Sequence, residues 1–247
     1  MLLLSVLRQF YDYVLALNFM INLQSKLVRK LNPISIFGEW WISPMGGQAR
    51  RVKKVIELVD VFQPDLIIET GTFIGSTTPL LATLFDAPVI TIELNERLAK
   101  RNNLLFSKLY PNLNINQVVG NSAIELKNIL NGTSSDKKLF VYLDAHWFDY
   151  LPTTDELNTL VAWGGEFIAL IDDFKNEFDS GYGFDEYRSG LHIGKDLIPK
   201  NSGLHVFVPK ISSKKEGLAR RGTAYVFSKH VISKHPDLFY EDLIKIV

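Results

Sequence analysis

Two alternating patterns of apolar and polar positions run along this chain. Short stretches rich in apolar residues, most of them bounded by proline, glycine or charged residues, recur at 65–69, 88–94, 113–119, 138–143 and 166–171. Runs of that length with breakers at both ends predict strands buried on both faces, as in a parallel sheet. Between them lie segments with apolar residues at helical spacing: 48–62, 76–85, 96–109, 123–130, and a stretch that starts near Thr153 and is closed by Gly164. In 48–62, Val52, Val55, Ile56, Val59 and Phe62 share one face. Arg50, Arg51, Lys53 and Lys54 fall largely off that face and read as a solvated basic cluster. Strand and helix in alternation specify an α/β domain with a doubly wound, mostly parallel sheet. The pattern changes toward the end of the chain, where 204–209 and 223–228 read as an antiparallel pair and 239–247 as a short amphipathic end. Lys214, Lys215, Arg220 and Arg221 between that pair read as a solvated hairpin tip.

Residues 1–31 are apolar and aromatic, but Arg8 and Asp12 interrupt them, so no run reaches the roughly 18 uncharged residues of a spanning helix. Asp12 also sits where a signal peptide would need an apolar core. The expectation is an amphipathic helix packed on the domain or on a second copy of the chain, ahead of a helix lying on a membrane surface. A loop carrying Phe37, Trp40 and Trp41 follows, so the chain divides into a helical extension with an aromatic loop (1–45) and one main domain (46–247).

Composition narrows the partners. At 247 residues and 47% hydrophobic the chain can bury a full core. Lys+Arg and Asp+Glu are equal at 27 each, which gives no electrostatic footprint for nucleic acid. With no cysteine there is neither a disulfide framework nor thiolate chemistry, which fits a reducing compartment such as the cytoplasm.

The run at 65–69 ends in a glycine turn, where Gly71 and Gly75 let the backbone pass close to a ligand before the helix begins. Strand, glycine turn and helix N-terminus make a nucleotide-sized site at the carboxyl edge of a doubly wound sheet. A dinucleotide fold wants Gly-x-Gly-x-x-Gly, but here Glu69, Gly71 and Gly75 give Glu-x-Gly-x-x-x-Gly. A carboxylate at Glu69 would repel a pyrophosphate, yet it suits a cationic ligand such as the sulfonium and α-amino group of S-adenosylmethionine. The stretch Glu69-Thr-Gly-Thr-Phe-Ile-Gly-Ser-Thr77 resembles the first cofactor loop of class I S-adenosylmethionine-dependent methyltransferases, in particular the cation-dependent catechol and caffeoyl-CoA O-methyltransferase group. The resemblance implies a seven-stranded sheet with an antiparallel seventh strand, and cofactor contacts from Glu69, Gly71, Thr72, Gly75 and Ser76. Gly47-Gln48 ahead of a helix also recurs in the catechol-type enzymes, near the cofactor's methionine end.

Glu93 ends the second strand about 20 residues after the glycine turn, where an acid can accept hydrogen bonds from both ribose hydroxyls. It matches the family's ribose-binding acid, though a dehydrogenase would carry one as well. After the third strand, Ser122-Ala-Ile-Glu125 reads as a capping box, and the family uses this turn to contact adenine, which would engage Asn121 and Ser122. Thr153-Thr-Asp-Glu156 reads as a further box.

The fourth and fifth strands deliver Asp144 and the pair Asp172-Asp173 to one rim of the sheet. Three converging carboxylates repel one another unless a cation is present, and a hard divalent ion such as Mg²⁺ is the natural one. The same positions match the metal ligands of the catechol-type group, and Asp144-Ala-His146-Trp147 resembles its Asp-His-Trp, one residue longer. The family's lysine base is replaced by Phe148. His146 is the candidate base beside Asp144, and the alternative is that His146 packs on adenine together with Trp147. An aromatic insert beyond Asp173, with Phe174, Phe178, Tyr182, Phe184 and Tyr187, is placed to cover the rim.

The function this implies is methyl transfer from S-adenosylmethionine to a hydroxyl oxygen of a small molecule, assisted by a divalent cation. A non-catalytic binding protein on the same scaffold is the alternative, since the lysine is missing. An NAD-dependent oxidoreductase would share the sheet and Glu93, but not Glu69 or the two-glycine turn.

Overall fold

The computed structural model describes residues 43–85, 87–146, 150–187, 190–235 and 242–247. The expected N-terminal helix, the aromatic residues Phe37, Trp40 and Trp41, and Trp147 and Phe148 lie outside them. Strands β1 (Leu66–Thr70), β2 (Val89–Glu93), β3 (Ile115–Val119), β4 (Lys138–Leu143) and β5 (Glu166–Asp172) are parallel. Strand β7 (Thr223–Phe227) runs antiparallel to β5 and to β6 (His205–Pro209), and β8 (Leu243–Lys245) runs antiparallel to β6. The full order is 3-2-1-4-5-7-6-8.

The eighth strand departs from the expected seven. Ile244 pairs with Val208 and Leu243 is buried, so the presumed amphipathic end covers the outer edge of β6. Three residues are too few for either period to declare itself in the sequence.

Helices α1 (Ala49–Phe62), α2 (Thr77–Leu84), α3 (Glu96–Leu109), α4 (Ser122–Asn131), α5 (Thr153–Trp163) and α6 (Lys229–Lys234) pack around the sheet. Side chains alternate across it. Ile67, Phe140, Tyr142 and Leu170 join one core with α1 and α2. Ile68, Leu139, Val141 and Ala169 join the other with α4 and α5. Burial on both faces is why these strands read as continuous apolar runs.

Helix starts show where local chemistry was and was not legible. Asn95 caps α3 as expected, its side chain accepting from the N–H groups of Arg97 and Leu98. Helix α4 is capped by Asn121, which accepts from the Ala123 N–H, so Ser122 is its first helical residue rather than its cap. The box expected at Thr153 is not formed either. Pro152 occupies the cap position of α5 without a side-chain bond, and Glu156 turns inward to 1% exposure. Gly164 closes α5 in the left-handed region, φ 81°, where a glycine carries no Cβ penalty.

The parallel order reverses between β1 and β4, so their carboxyl ends open a crevice at the switch point. Thr70 lies opposite Leu143, and Leu143 opposite Ile171, so the loops after β1, β4 and β5 emerge side by side.

Candidate active site

The glycine turn after β1 is fixed by what surrounds it. Gly71 sits at φ +81°, and a Cβ there would lie 2.2 Å from the carbonyl oxygen of Asp144, so only glycine lets the loops after β1 and β4 touch. The N–H groups of Gly71 and Thr72 both donate to the Ile92 carbonyl. Phe73 holds a left-handed φ of 49°, uncommon for a bulky residue. Its N–H donates to Glu93 Oε2 at 2.7 Å and its carbonyl accepts from Asn102 Nδ2 at 2.8 Å, so the turn is clamped from both sides.

Two cavities meet at this turn, with Gly71 and Phe73 lining both. The larger, about 810 Å³, is walled by Ile92, Leu94, Leu98, Tyr150 and Pro152, with Glu93, Asn121 and Ser122 as its polar groups. Glu93 Oε1 accepts from the Asn95 N–H at 2.8 Å, so each of its oxygens holds one backbone bond and keeps a second acceptor position.

The smaller cavity, about 170 Å³, is lined by Glu69, Thr72, Ser76, Gln48, Arg51, Tyr142, Asp144, His146, Asp172, Asp173, Asp185, Tyr187 and Arg221 among others. Glu69 is 1% exposed, and its Oε2 accepts from the hydroxyls of Thr78 (2.5 Å) and Thr91 (2.6 Å). Burial pushes its carboxyl up to about 8, against the hydroxyls, which favour the charged form.

The acidic rim is threaded with protein cations. Arg51, on α1 and 2% exposed, places NH1 2.6 Å from Asp172 Oδ1, while its NH2 donates to the carbonyls of Arg221 and Gly222. The Asp173 N–H donates to the same Oδ1 at 2.7 Å, and Tyr142 donates its hydroxyl to Asp172 Oδ2 at 2.5 Å. Burial disfavours a charge on Asp172, but Arg51 and Tyr142 outweigh it and hold the carboxyl below its ordinary range. Arg221 bonds to both Asp173 and Asp185. Gln48 fixes the Arg221 backbone by donating to its carbonyl and accepting from its N–H, at 2.9 and 2.8 Å. Asp173, at φ 55°, is pushed up to about 6 by burial and by Asp172 in spite of Arg221.

His146 stands among carboxylates. Its Nε2 is 3.2 Å from Asp144 Oδ1 and 3.9 Å from Asp173 Oδ2. Its Nδ1 is 3.4 Å from Asp185 Oδ2 and 3.2 Å from the Tyr187 hydroxyl. Burial alone would favour the neutral ring, but Asp144 and Asp185, with Asp173 behind, hold the imidazolium well above the ordinary histidine range. Asp144 is pushed up to about 7 by burial and by Asp172, against the pull of His146, and its side chain remains 32% exposed.

No protein-family model matches the chain, and no curated protein matches it in sequence. Solved structures do. An O-methyltransferase from Bacillus cereus in complex with SAH aligns at TM-score 0.53 and 16% identity, over 83% of this chain and 90% of that one. A proposed caffeoyl-CoA O-methyltransferase from Staphylococcus aureus aligns at 0.51 and 13% identity, over 87% and 99%. The fold is that of the class I S-adenosylmethionine-dependent methyltransferases. A further match, MtNAS in complex with MTA and tNA, aligns at 0.48 and 15% identity, and this chain spans 59% of its length.

On this methyltransferase fold the expected residues separate between the two cavities. Glu93, Asn121 and Ser122 line the larger, Glu69, Thr72 and Ser76 the smaller, and Gly71 both. Gly75 lies behind the turn, where a Cβ would meet Phe106 and Asn102. His146 lines the smaller cavity and not the larger. Asp144, Asp172 and Asp173 all reach the smaller cavity, as expected.

Protein cations already stand among them. Asp172 already accepts from Arg51, the Asp173 N–H and Tyr142, and Asp173 faces Arg221. Among the described residues, the side chains that bring donor atoms within 4.8 Å of one another are His146, Asp173 and Asp185, a set without Asp144 or Asp172. The Arg51 and Arg221 guanidinium groups offset the repulsion among these carboxylates in this structure.

The sequence pattern implies that Arg51 and Arg221, like their basic neighbours, are solvated. That holds for Arg50 and Lys53, but Arg51 shares the 3–4 spacing of Val55, Leu58 and Phe62, all buried. A charge in the register of an apolar stripe was the available signal. Arg221, Asp185 and Tyr187 had none, because their meeting depends on how the insert folds back onto the start of β7.

Proposed function

We propose that the protein transfers a methyl group from S-adenosylmethionine to a hydroxyl oxygen of a small polar molecule. The observation that carries this is the pair of cavities joined at Gly71 and Phe73, one apolar with Glu93 at its edge, the other charged with Glu69 at its floor. When bound, S-adenosylmethionine supplies an electrophilic methyl group on a sulfonium. Glu93, with a free acceptor position on each oxygen, suits a ribose diol, and the walls around Leu94 and Tyr150 suit a flat base. Glu69 suits the ligand's ammonium, whose charge would draw the carboxyl back to its ionised form.

The acceptor's place is the remainder of the smaller cavity, whose charged and hydroxyl lining selects a polar molecule. In the free protein the imidazolium of His146 has no lone pair to offer, so the proton acceptor in this reading is Asp144. It is partly exposed to the cavity, and burial with Asp172 nearby pushes its carboxyl up to about 7. His146, with Nε2 3.2 Å from Oδ1, stabilises the charge of that carboxylate. The acceptor oxygen forms the new bond to carbon as the sulfonium bond breaks, and its proton passes to Asp144. The absence of cysteine keeps the cytoplasm as the compartment of this proposal.

A dehydrogenase reading is disfavoured by Glu69, a buried carboxylate beside the turn where a pyrophosphate would sit. Calorimetry with S-adenosylhomocysteine and with NAD separates the two. Saturable binding of the first and none of the second is expected, and the reverse would contradict the proposal.

A further inference from the structure

Whether this chain holds a metal at the rim after β4 and β5 turns on how the carboxylates there are neutralised. Asp172 is the carboxylate most completely engaged. Two donors share its Oδ1, the Arg51 guanidinium at 2.6 Å and the Asp173 N–H at 2.7 Å, and the Tyr142 hydroxyl holds Oδ2 at 2.5 Å. Three of its four acceptor positions are therefore filled by groups anchored in the fold.

Arg51 cannot swing away as a surface arginine would. It is 2% exposed, it shares the buried face of α1 with Val55 and Leu58, and its NH2 is bonded to the Arg221 and Gly222 carbonyls. Arg221 in turn spans Asp173 and Asp185, with its own backbone gripped by Gln48.

We infer that Arg51, with Arg221, occupies the electrostatic place of a divalent ion in this chain, and that no Mg²⁺ or Mn²⁺ is held at the Asp172–Asp173 rim. A divalent ion on Asp172 would share that carboxylate with a guanidinium fixed against it, and the two like charges would repel in a site of low dielectric. The guanidinium also does what the ion would do for an oxygen nucleophile, since a fixed positive charge beside the cavity favours a developing alkoxide. Unlike an ion it offers no open coordination positions, so the acceptor need not present two neighbouring oxygens. This deepens the proposed methyl transfer at the same site, and its role for Arg51 in the reaction rests on that proposal. The claim about the metal does not.

The test is a Mn²⁺ titration of the full chain followed by electron paramagnetic resonance of the free ion, with and without S-adenosylhomocysteine. The wild type, Asp172→Asn and Asp173→Asn are compared, each first checked by its melting curve. The expected result is that the wild type removes no Mn²⁺ from solution at this rim, so that any weak uptake is unchanged in both variants. One Mn²⁺ bound per chain by the wild type, and weakened tenfold or more in either folded variant, would overturn the inference. Should neither variant fold, the wild type decides alone, stoichiometric binding overturning the inference and its absence upholding it. Failure of S-adenosylhomocysteine to bind would instead count against the proposed function and leave the metal result standing.

Discussion

Gly71 and Asp144 approach so closely that a Cβ on residue 71 would fall 2.2 Å from the Asp144 carbonyl oxygen. The loops after β1 and β4 are thereby one unit, and the wall shared by both cavities cannot be altered without moving the carboxylate proposed as proton acceptor. Gly71→Ala carries about 1–2 kcal/mol for the left-handed backbone alone, plus the cost of separating the loops. The expected outcome is a lower melting temperature with S-adenosylhomocysteine binding weakened tenfold or more. Unchanged affinity in the folded variant would mean that the ligand does not lie against this turn.

Glu69 gives a prediction in protons. Its carboxyl is pushed up to about 8 by burial, so below that pH the empty cavity holds it largely protonated. A ligand ammonium favours the ionised form, so binding below pH 8 should release a proton, and affinity should rise with pH until about 8. Calorimetry in buffers of different ionisation enthalpy measures that release directly. Glu69→Gln should abolish it and weaken binding by about 1.5–3 kcal/mol, as expected for loss of a charge-assisted hydrogen bond. Proton release that persists in the variant would place the titrating group elsewhere.

The buried ion pair of Arg51 and Asp172 predicts a stability pattern. Arg51→Met leaves Asp172 buried without its partner and should cost about 3–5 kcal/mol, while Arg51→Met with Asp172→Leu together should cost much less than the sum of the single changes. Urea unfolding of the four proteins in the cycle measures the coupling. A cost for Arg51→Met within about 0.5 kcal/mol, the range of ordinary surface substitutions, would show that the pair does not form in solution.

Glu156 supplies the pH dependence of the fold itself. It is 1% exposed, neither carboxylate oxygen has a hydrogen-bond partner, and burial pushes its carboxyl up to about 7 although Thr70 and Ser122 nearby favour the charge. A carboxyl raised on folding contributes stability fully below its unfolded value, and loses it as pH rises through the folded one. Between about pH 4.5 and 7 the protein should therefore lose on the order of 1–3 kcal/mol from this group. Glu156→Gln should flatten that slope without altering the fold. A slope identical in both proteins would assign it to other groups.

The positions of β1, β4 and β5 were legible in the sequence because both faces of the sheet are covered there, and that makes each of them a nearly unbroken apolar run. β4 and α3 begin and end where their patterns do, and Asn95 marks the start of α3 by its own chemistry. At α4, Asn121 and Ser122 are both good caps, and only the folded register chooses the first. The acids of the rim could be read because each ends a strand. Their counter-charges could not, since Arg221 and Asp185 come together through an insert with no period, and Arg51 was masked by basic neighbours of which Arg50 and Lys53 do face solvent. Repulsion among Asp144, Asp172 and Asp173 was real, but it does not say whether the answer is an ion or an arginine.

The central claim is that one ligand spans both cavities across the Gly71–Phe73 turn. A crystal structure of the protein with S-adenosylhomocysteine tests it most directly. The account predicts base and ribose in the larger cavity, with the ribose hydroxyls bonded to Glu93, and the amino group in the smaller cavity within reach of Glu69. A ligand bound elsewhere, or one confined to the larger cavity with Glu69 untouched, would contradict it.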